Sequence, residues 1–163
     1  LEECLNGHDA TEFIELLKAA ANSAKKGECV ADFAEKIGSK GGVSGYIYHT
    51  VPAVIQVWLR FPNDFSSALS EMLFAGGDAD TTGAILGGIV GAGVGKEGVP
   101  DEAISNIIEY PRSICWISRL SEVLADEECK SVPGYFWPAL IPRNLLFTLV
   151  VLLHGFRRLL PPF

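Results

Sequence analysis

Gly83, Gly87, Gly91 and Gly95 recur at every fourth position of a segment, Gly83 to Gly95, that carries no charge. On an α-helix this spacing gathers the glycines on one side, because residues four apart lie one above the other. Each glycine inside a helix costs about 1 kcal/mol relative to alanine. The stripe therefore needs an offsetting cause, and close approach of another helix backbone supplies one. The membrane version of the pattern, a small-xxx-small dimer face, belongs to spans of about twenty apolar residues, and this run has thirteen. The feature predicts a helix packed within a multi-helix, all-α protein.

Apolar spacing elsewhere agrees, and no segment alternates with period two for long. Asp9 with Glu12 reads as a capping box, followed by Phe13, Leu16, Leu17, Ala20 and Ala21 on one helical face that ends near Lys25-Lys26-Gly27. Val30, Phe33, Ala34 and Ile37 mark a short helix stopping at Gly38. After the loop Lys40 to Gly45, Thr50 is placed to cap a helix with Pro52 in its first turn, running to about Arg60. Asp64 is a further cap, ahead of the stripe Phe65, Ala68, Leu69, Met72 and Leu73. Pro100 opens a short helix with Asp101 and Glu102 in its first turn, and Pro111-Arg112-Ser113 opens one with Ile114, Ile117, Leu120, Val123 and Leu124 inward. Seven or eight helices are expected, with Trp58, Trp116 and Trp137 as core residues.

A chain of 163 residues can bury one sizeable core. Its formal net charge of −7 and the lack of a basic patch interleaved with aromatics argue against a nucleic-acid partner. Cys4, Cys29, Cys115 and Cys129 show no metal-ligand spacing, and no signal peptide is evident, so reduced thiols and a cytoplasmic location are expected. Composition shifts toward Pro, Leu and aromatics in the last part, giving an expected division into residues 1–128 and a tail 129–163. Within the tail, Asn144 to Phe156 is apolar almost all round. Such a helix is buried, against protein or lipid. Its length favours a core or a subunit contact, hence a homo-oligomer, over a membrane-surface anchor through 144–160.

The chemistry-bearing stretch is Gly76-Gly77-Asp78-Ala79-Asp80-Thr81-Thr82. Two carboxylates two residues apart with an adjacent hydroxyl are hard oxygen ligands, suited to Mg²⁺, Mn²⁺ or Ca²⁺. The paired glycines let a ligand approach the main chain. A plain capped turn explains the same residues, since Asp78, Asp80 or Thr81 suits a helix N-terminus.

This stretch, with the Gly/Ala-rich helix after it ending Gly95-Lys96-Glu97-Gly98-Val99-Pro100, resembles the C-terminal signature of the ADP-ribosylglycohydrolases, a family that includes the dinitrogenase-reductase-activating glycohydrolases. Val43-Ser44-Gly45-Tyr46 and Thr50-Val51-Pro52-Ala53 resemble the segment preceding that signature, so the likeness spans roughly residues 28 to 110. The region after Pro111 resembles a tail of some bacterial members. The resemblance implies an all-α fold and two Mg²⁺ ions, with Mn²⁺ an alternative, cleaving the glycosidic bond between ADP-ribose and a modified protein side chain or small molecule. It implies Asp78, Asp80 and Thr81 as metal ligands, and Ser44, Gly45, Tyr46, Gly76 and Gly77 as substrate-binding residues, the 44–46 turn lying toward the adenosine end. Ala79 stands where the family most often has Thr, a position that is not a ligand. The family's Thr-Asp-Asp motif, its early acidic residue and its Gly-rich phosphate loop do not occur here. The chain thus reads as a C-terminal half needing a complementing N-terminal half, which would also supply any general base. No catalytic residue is assigned within it.

Two rivals stand beside this reading. Asp78-Ala79-Asp80-Thr81-Thr82 also fits the Asp-x-Asp-x-Thr pattern of haloacid-dehalogenase-like phosphatases, which requires a buried parallel strand before the first Asp. The other is a non-catalytic metal-binding or structural module of the same fold, pairing through its leucine-rich tail. For Tyr48 and His49, packing and capping are favoured over ligand contact.

Overall fold

The computed structural model describes residues 10–125 and 131–159. Among them there are eight α-helices and no strand, and the chain divides into two compact units, residues 1–100 and 101–163. The expected boundary at 128 and 129 falls outside the described residues, as do Asp9, Cys4 and Cys129. Cys29 and Cys115 are free thiols.

The first unit holds α1 (Thr11–Lys25), α2 (Val30–Lys36), α3 (Ile47–Arg60), α4 (Phe65–Phe74) and α5 (Ala79–Val94). α1 is capped at Ala10 without a side-chain hydrogen bond. Ala20 and Ser23 are its buried residues, and it packs along α3, with Phe13 edge-on to Tyr48 at 5.3 Å. α3 starts three residues ahead of the expected cap. Tyr46 is its N-cap, while Thr50 is buried inside the helix and donates from Oγ1 to the Ser44 carbonyl at 2.8 Å. The hydroxyl sought as a cap instead ties the helix to the preceding loop, which lets Ile47 begin the helix and leaves Pro52 inside it.

A single carboxylate joins three helices. Glu71 on α4 accepts from the Val30 N–H at the start of α2 at 3.0 Å, and pairs with Arg60 at the end of α3. Beneath these ties, Val30, Ala34, Val43, Ala53, Val54, Val57, Ala68, Met72, Leu86 and Val90 form one buried cluster, flanked by Phe61, Phe65, Ala75 and Val94. α4 is capped as expected. Asp64 accepts from the Ser67 N–H at 3.0 Å and the Ser67 hydroxyl at 2.7 Å, and these bonds hold its carboxyl below the usual carboxylate range.

The glycine stripe faces α4, yet what approaches it is side chain rather than backbone. A Cβ at Gly83 would lie 3.4 Å from Leu73 Cδ2, and one at Gly87 or Gly91 3.9 or 3.8 Å from the Phe65 ring. Bulky apolar side chains on α4 fill the channel that the missing Cβ atoms leave. Gly95 lies beyond the stripe and ends the helix with φ 68°.

The second unit holds α6 (Asp101–Ser105), α7 (Ile114–Ala125) and α8 (Leu140–Leu159), the last preceded by a 3₁₀ turn at Trp137–Ala139. No residue of these helices is buried. Polar ties organise the unit: Trp116 Nε1 donates to the Pro133 carbonyl at 2.8 Å, Arg112 to the Tyr135 hydroxyl at 3.2 Å, and Arg143 to Glu109 at 2.6 Å. Two expectations are corrected here. The tail helix is 20 residues long and does not lie in a core of its own unit, because no element there covers it. Trp58 and Trp137 are 38% and 65% exposed, so neither is a core residue.

Two outcomes are expected. Gly88 has open space around a Cβ, so Gly88→Ala raises stability by up to about 1 kcal/mol, whereas Gly77→Ala, with φ 82° and the Val43 carbonyl 2.3 Å from the added carbon, lowers it; urea denaturation of both checks the contrast. Asp64→Ala lowers the thermal midpoint at neutral pH. Because the folded-state pKa of Asp64 is depressed, its contribution is present above the ordinary carboxylate value and fades as pH falls through that value toward the folded one. The difference between wild type and Asp64→Ala, followed by circular dichroism, narrows on acidification below about pH 4.

Candidate functional site

Two loops of the first unit meet through main-chain hydrogen bonds. The Val43 N–H donates to the Gly76 carbonyl at 3.1 Å and the Asp78 N–H donates to the Val43 carbonyl at 2.7 Å, forming an isolated parallel bridge between Val43 and Gly77. Contact this close excludes side chains. A Cβ on Gly42 would sit 2.4 Å from the Gly77 nitrogen, and both glycines have positive φ, 115° and 82°. The glycines before Asp78 are therefore required by the loop crossing itself.

Ser39 shapes the partner loop. This buried hydroxyl donates to the Gly42 carbonyl at 2.8 Å and accepts from the Ser44 N–H at 3.1 Å, holding Val43 in line with Gly77. Ser44 Oγ lies 2.8 Å from His49 Nδ1 and accepts from the Tyr46 N–H at 3.3 Å. Tyr46 stacks on Tyr48 with centroids 5.4 Å apart and meets the His49 ring edge-on at the same separation. Tyr48 and His49 thus pack and orient the turn, as favoured from the sequence. Tyr46 keeps 58% of its surface exposed.

Asp78 is the N-cap of α5 without a side-chain capping bond, and its main-chain carbonyl accepts both the N–H and the hydroxyl of buried Thr82 at 3.0 Å. Its carboxylate is thereby left for other partners. One oxygen lies over Gly45, where a Cβ would come within 2.4 Å of Oδ2. The Asp78 side chain also reaches Asp80, in the first turn of α5. The Asp78 side chain first, and then the Thr81 and Asp80 N–H groups, hold the Asp80 carboxyl below the usual range.

The structure therefore brings together Ser44, Gly45, Gly76, Gly77, Asp78 and Asp80. Tyr46 borders them, and Thr81 is exposed in the first turn of α5. Asp78 follows α4 and starts a helix, a setting without the buried strand that the phosphatase pattern needs. Among the described residues no group of three or more His, Cys, Asp or Glu side chains could hold a metal. Sequence reasoning missed Ser39 and Gly42, and it named Val43 within the resemblance without its part in the crossing. The only signal was the Gly41-Gly42 pair, whose positive-φ role could not be separated from an ordinary turn.

Comparison with known proteins adds the family. A family model described as ADP-ribosylglycohydrolase matches residues 1–133, beyond both ends of the expected span. The ADP-ribosyl-[dinitrogen reductase] glycohydrolase of Rhodospirillum rubrum is 37% identical over 68 residues, covering 42% of this chain and 23% of the relative. The chain thus spans about a quarter of the length of the curated relative that it matches. No solved structure matches. With its all-α architecture and a family match over most of its length, the chain belongs to the ADP-ribosylglycohydrolase family.

Proposed function

We propose that this chain is the C-terminal part of a Mg²⁺-dependent hydrolase that cleaves the glycosidic bond linking ADP-ribose to a protein side chain or small molecule. The observation that carries this is the placement of Asp78 and Asp80 at the N-terminus of α5, beside a loop crossing stripped of side chains at Gly42, Gly45 and Gly77. A capped turn alone would spend the Asp78 carboxylate on the helix, and here it makes no such bond.

Asp78, Asp80 and the Thr81 hydroxyl are hard oxygen donors that would hold Mg²⁺, or Mn²⁺ in its place. When bound, the metal supplies Lewis-acid stabilisation and a template for the ribose hydroxyls and an attacking water. The protein groups do the placing. The two carboxylates set the negative field, the α5 N-terminus lends its N–H groups to anionic parts of the ligand, and Gly76, with open space beside its α-carbon, admits the ligand to the main chain, while Gly77 keeps the loop crossing and Gly45 receives the Asp78 carboxylate. Tyr46, exposed and braced on Tyr48, offers a flat apolar face at the rim for the adenosine end. As an oxocarbenium-like transition state develops, Asp78 and Asp80 act as electrostatic and templating groups. The remaining ligands and any general base come from a complementing N-terminal half.

Two measurements test the proposal. Calorimetric titration of the chain with Mg²⁺ and Mn²⁺ is expected to give metal binding that ADP-ribose strengthens, and that Asp78→Ala abolishes. Gly45→Ala weakens it by displacing the carboxylate. Binding that survives Asp78→Ala removes the assignment. In a protein that also carries the complementing half, Asp80→Ala reduces release of ADP-ribose by at least about a hundredfold with an unchanged helical spectrum. Metal binding without hydrolysis there would favour the non-catalytic module.

A further inference from the structure

At about 100° per residue, α8 separates its residues into two faces. Arg143, His154, Arg157 and Arg158 fall within one arc of about 100°. Ile141, Leu145, Leu149, Leu152 and Phe156 fall on the opposite side, in an arc of about 80°. Of the cationic arc, Arg143 is tied to its own unit. Arg143 pairs with Glu109 and lies over the Phe147 ring, and a cleft of about 610 Å³ there is lined by Ile108, Tyr110, Leu146 and Val150. The apolar face is open: Leu149, Leu152 and Phe156 are 53%, 51% and 62% exposed, and Leu146 and Phe147 beside the cleft are 63% and 59% exposed.

Charge identifies what would cover it. The chain carries a formal charge of −7, yet residues 131–159 contain three arginines and no acidic residue. A second copy paired through α8 would bury the leucines but offer Arg157 and Arg158 no acidic partner from the same segment. An anionic bilayer takes both, leucines among the acyl chains and arginines at the headgroups. Tyr135, Phe136 and Trp137 stand at the start of the helix, with Phe136 and Trp137 each 65% exposed, and such rings suit the headgroup level.

The stretch Trp137–Leu159, 23 residues, is long and apolar enough to cross a bilayer. Arg143, however, interrupts it, leaving an uncharged run of thirteen residues, Asn144 to Phe156. That run is about 20 Å of helix against about 30 Å of hydrocarbon. Arg143 and Arg157 flank that run, and with Arg158 they fall on one face of the helix. We propose that α8 lies in the plane of an anionic membrane surface, with Leu145, Leu149, Leu152 and Phe156 inserted and Arg157 and Arg158 at the headgroups.

Flotation of the full chain with preformed vesicles tests this. Binding is expected to be at least roughly tenfold tighter to phosphatidylcholine containing phosphatidylglycerol than to phosphatidylcholine alone. The preference shrinks in about 0.5 M salt, and bound protein exchanges into added acceptor vesicles. Leu149→Glu with Leu152→Glu abolishes binding while the helical spectrum stays, and Arg157→Gln with Arg158→Gln lowers the preference for anionic lipid without relying on the apolar face. Several results overturn the proposal: no binding, equal binding to both vesicles, failure to exchange as a spanning helix would show, or a lipid-free dimer by light scattering that the leucine variant dissociates. Metal binding at Asp78 is unaffected by either α8 variant, so this test and that of the metal site fail independently.

Discussion

Everything at the site depends on one close contact, the two main-chain hydrogen bonds through which Val43 joins Gly76 and Asp78. They fix two loops from different helix connections at a separation that no side chain would permit. Val43 is also fully buried within the core cluster, so the crossing is anchored in the same apolar contacts that hold α3, α4 and α5 together. Packing of the helices and placement of the Asp78 carboxylate are in this sense one event. Burial stabilises the bridge, and the bridge sets the carboxylate over Gly45.

Much of this was legible in the sequence, and for identifiable reasons. Helix periodicity is a direct image of burial, so the stripes that include Ala20, Phe33 and Met72 placed these residues inward correctly, although Leu73 at the end of the third is 47% exposed. Asp64 was legible because an Asx residue three positions before a hydroxyl in the first turn has few other uses. Thr50 misled, since a hydroxyl ahead of an apolar run can cap a helix or tie it to a loop, and only the path of the chain decides. Asp78, Asp80 and the glycines between the loops were picked out by residue chemistry, and the resemblance placed them on a family pattern. Val43 acts through long-range main-chain geometry, and Ser39 through a hydroxyl that serves a loop just as any turn serine does, so neither leaves a distinguishing pattern.

The tail shows the opposite failure. An apolar helix was assigned to a buried environment on composition alone, whereas exposure depends on what its unit provides to pack against it. The short α6 and the polar ties among Trp116, Tyr135 and Arg143 provide little. The second unit is held by directional contacts at its edges, and the first by a continuous apolar interior.

Glu71 has a further consequence. A partly buried carboxylate that receives the first N–H of α2 and pairs with the last arginine of α3 links elements distant in sequence to a residue midway along α4. Three helices then share one electrostatic joint, and none can fray at that corner without breaking a bond of the others. Local opening becomes collective there, so the exchange rate of the single Val30 amide proton reports on the integrity of the whole corner.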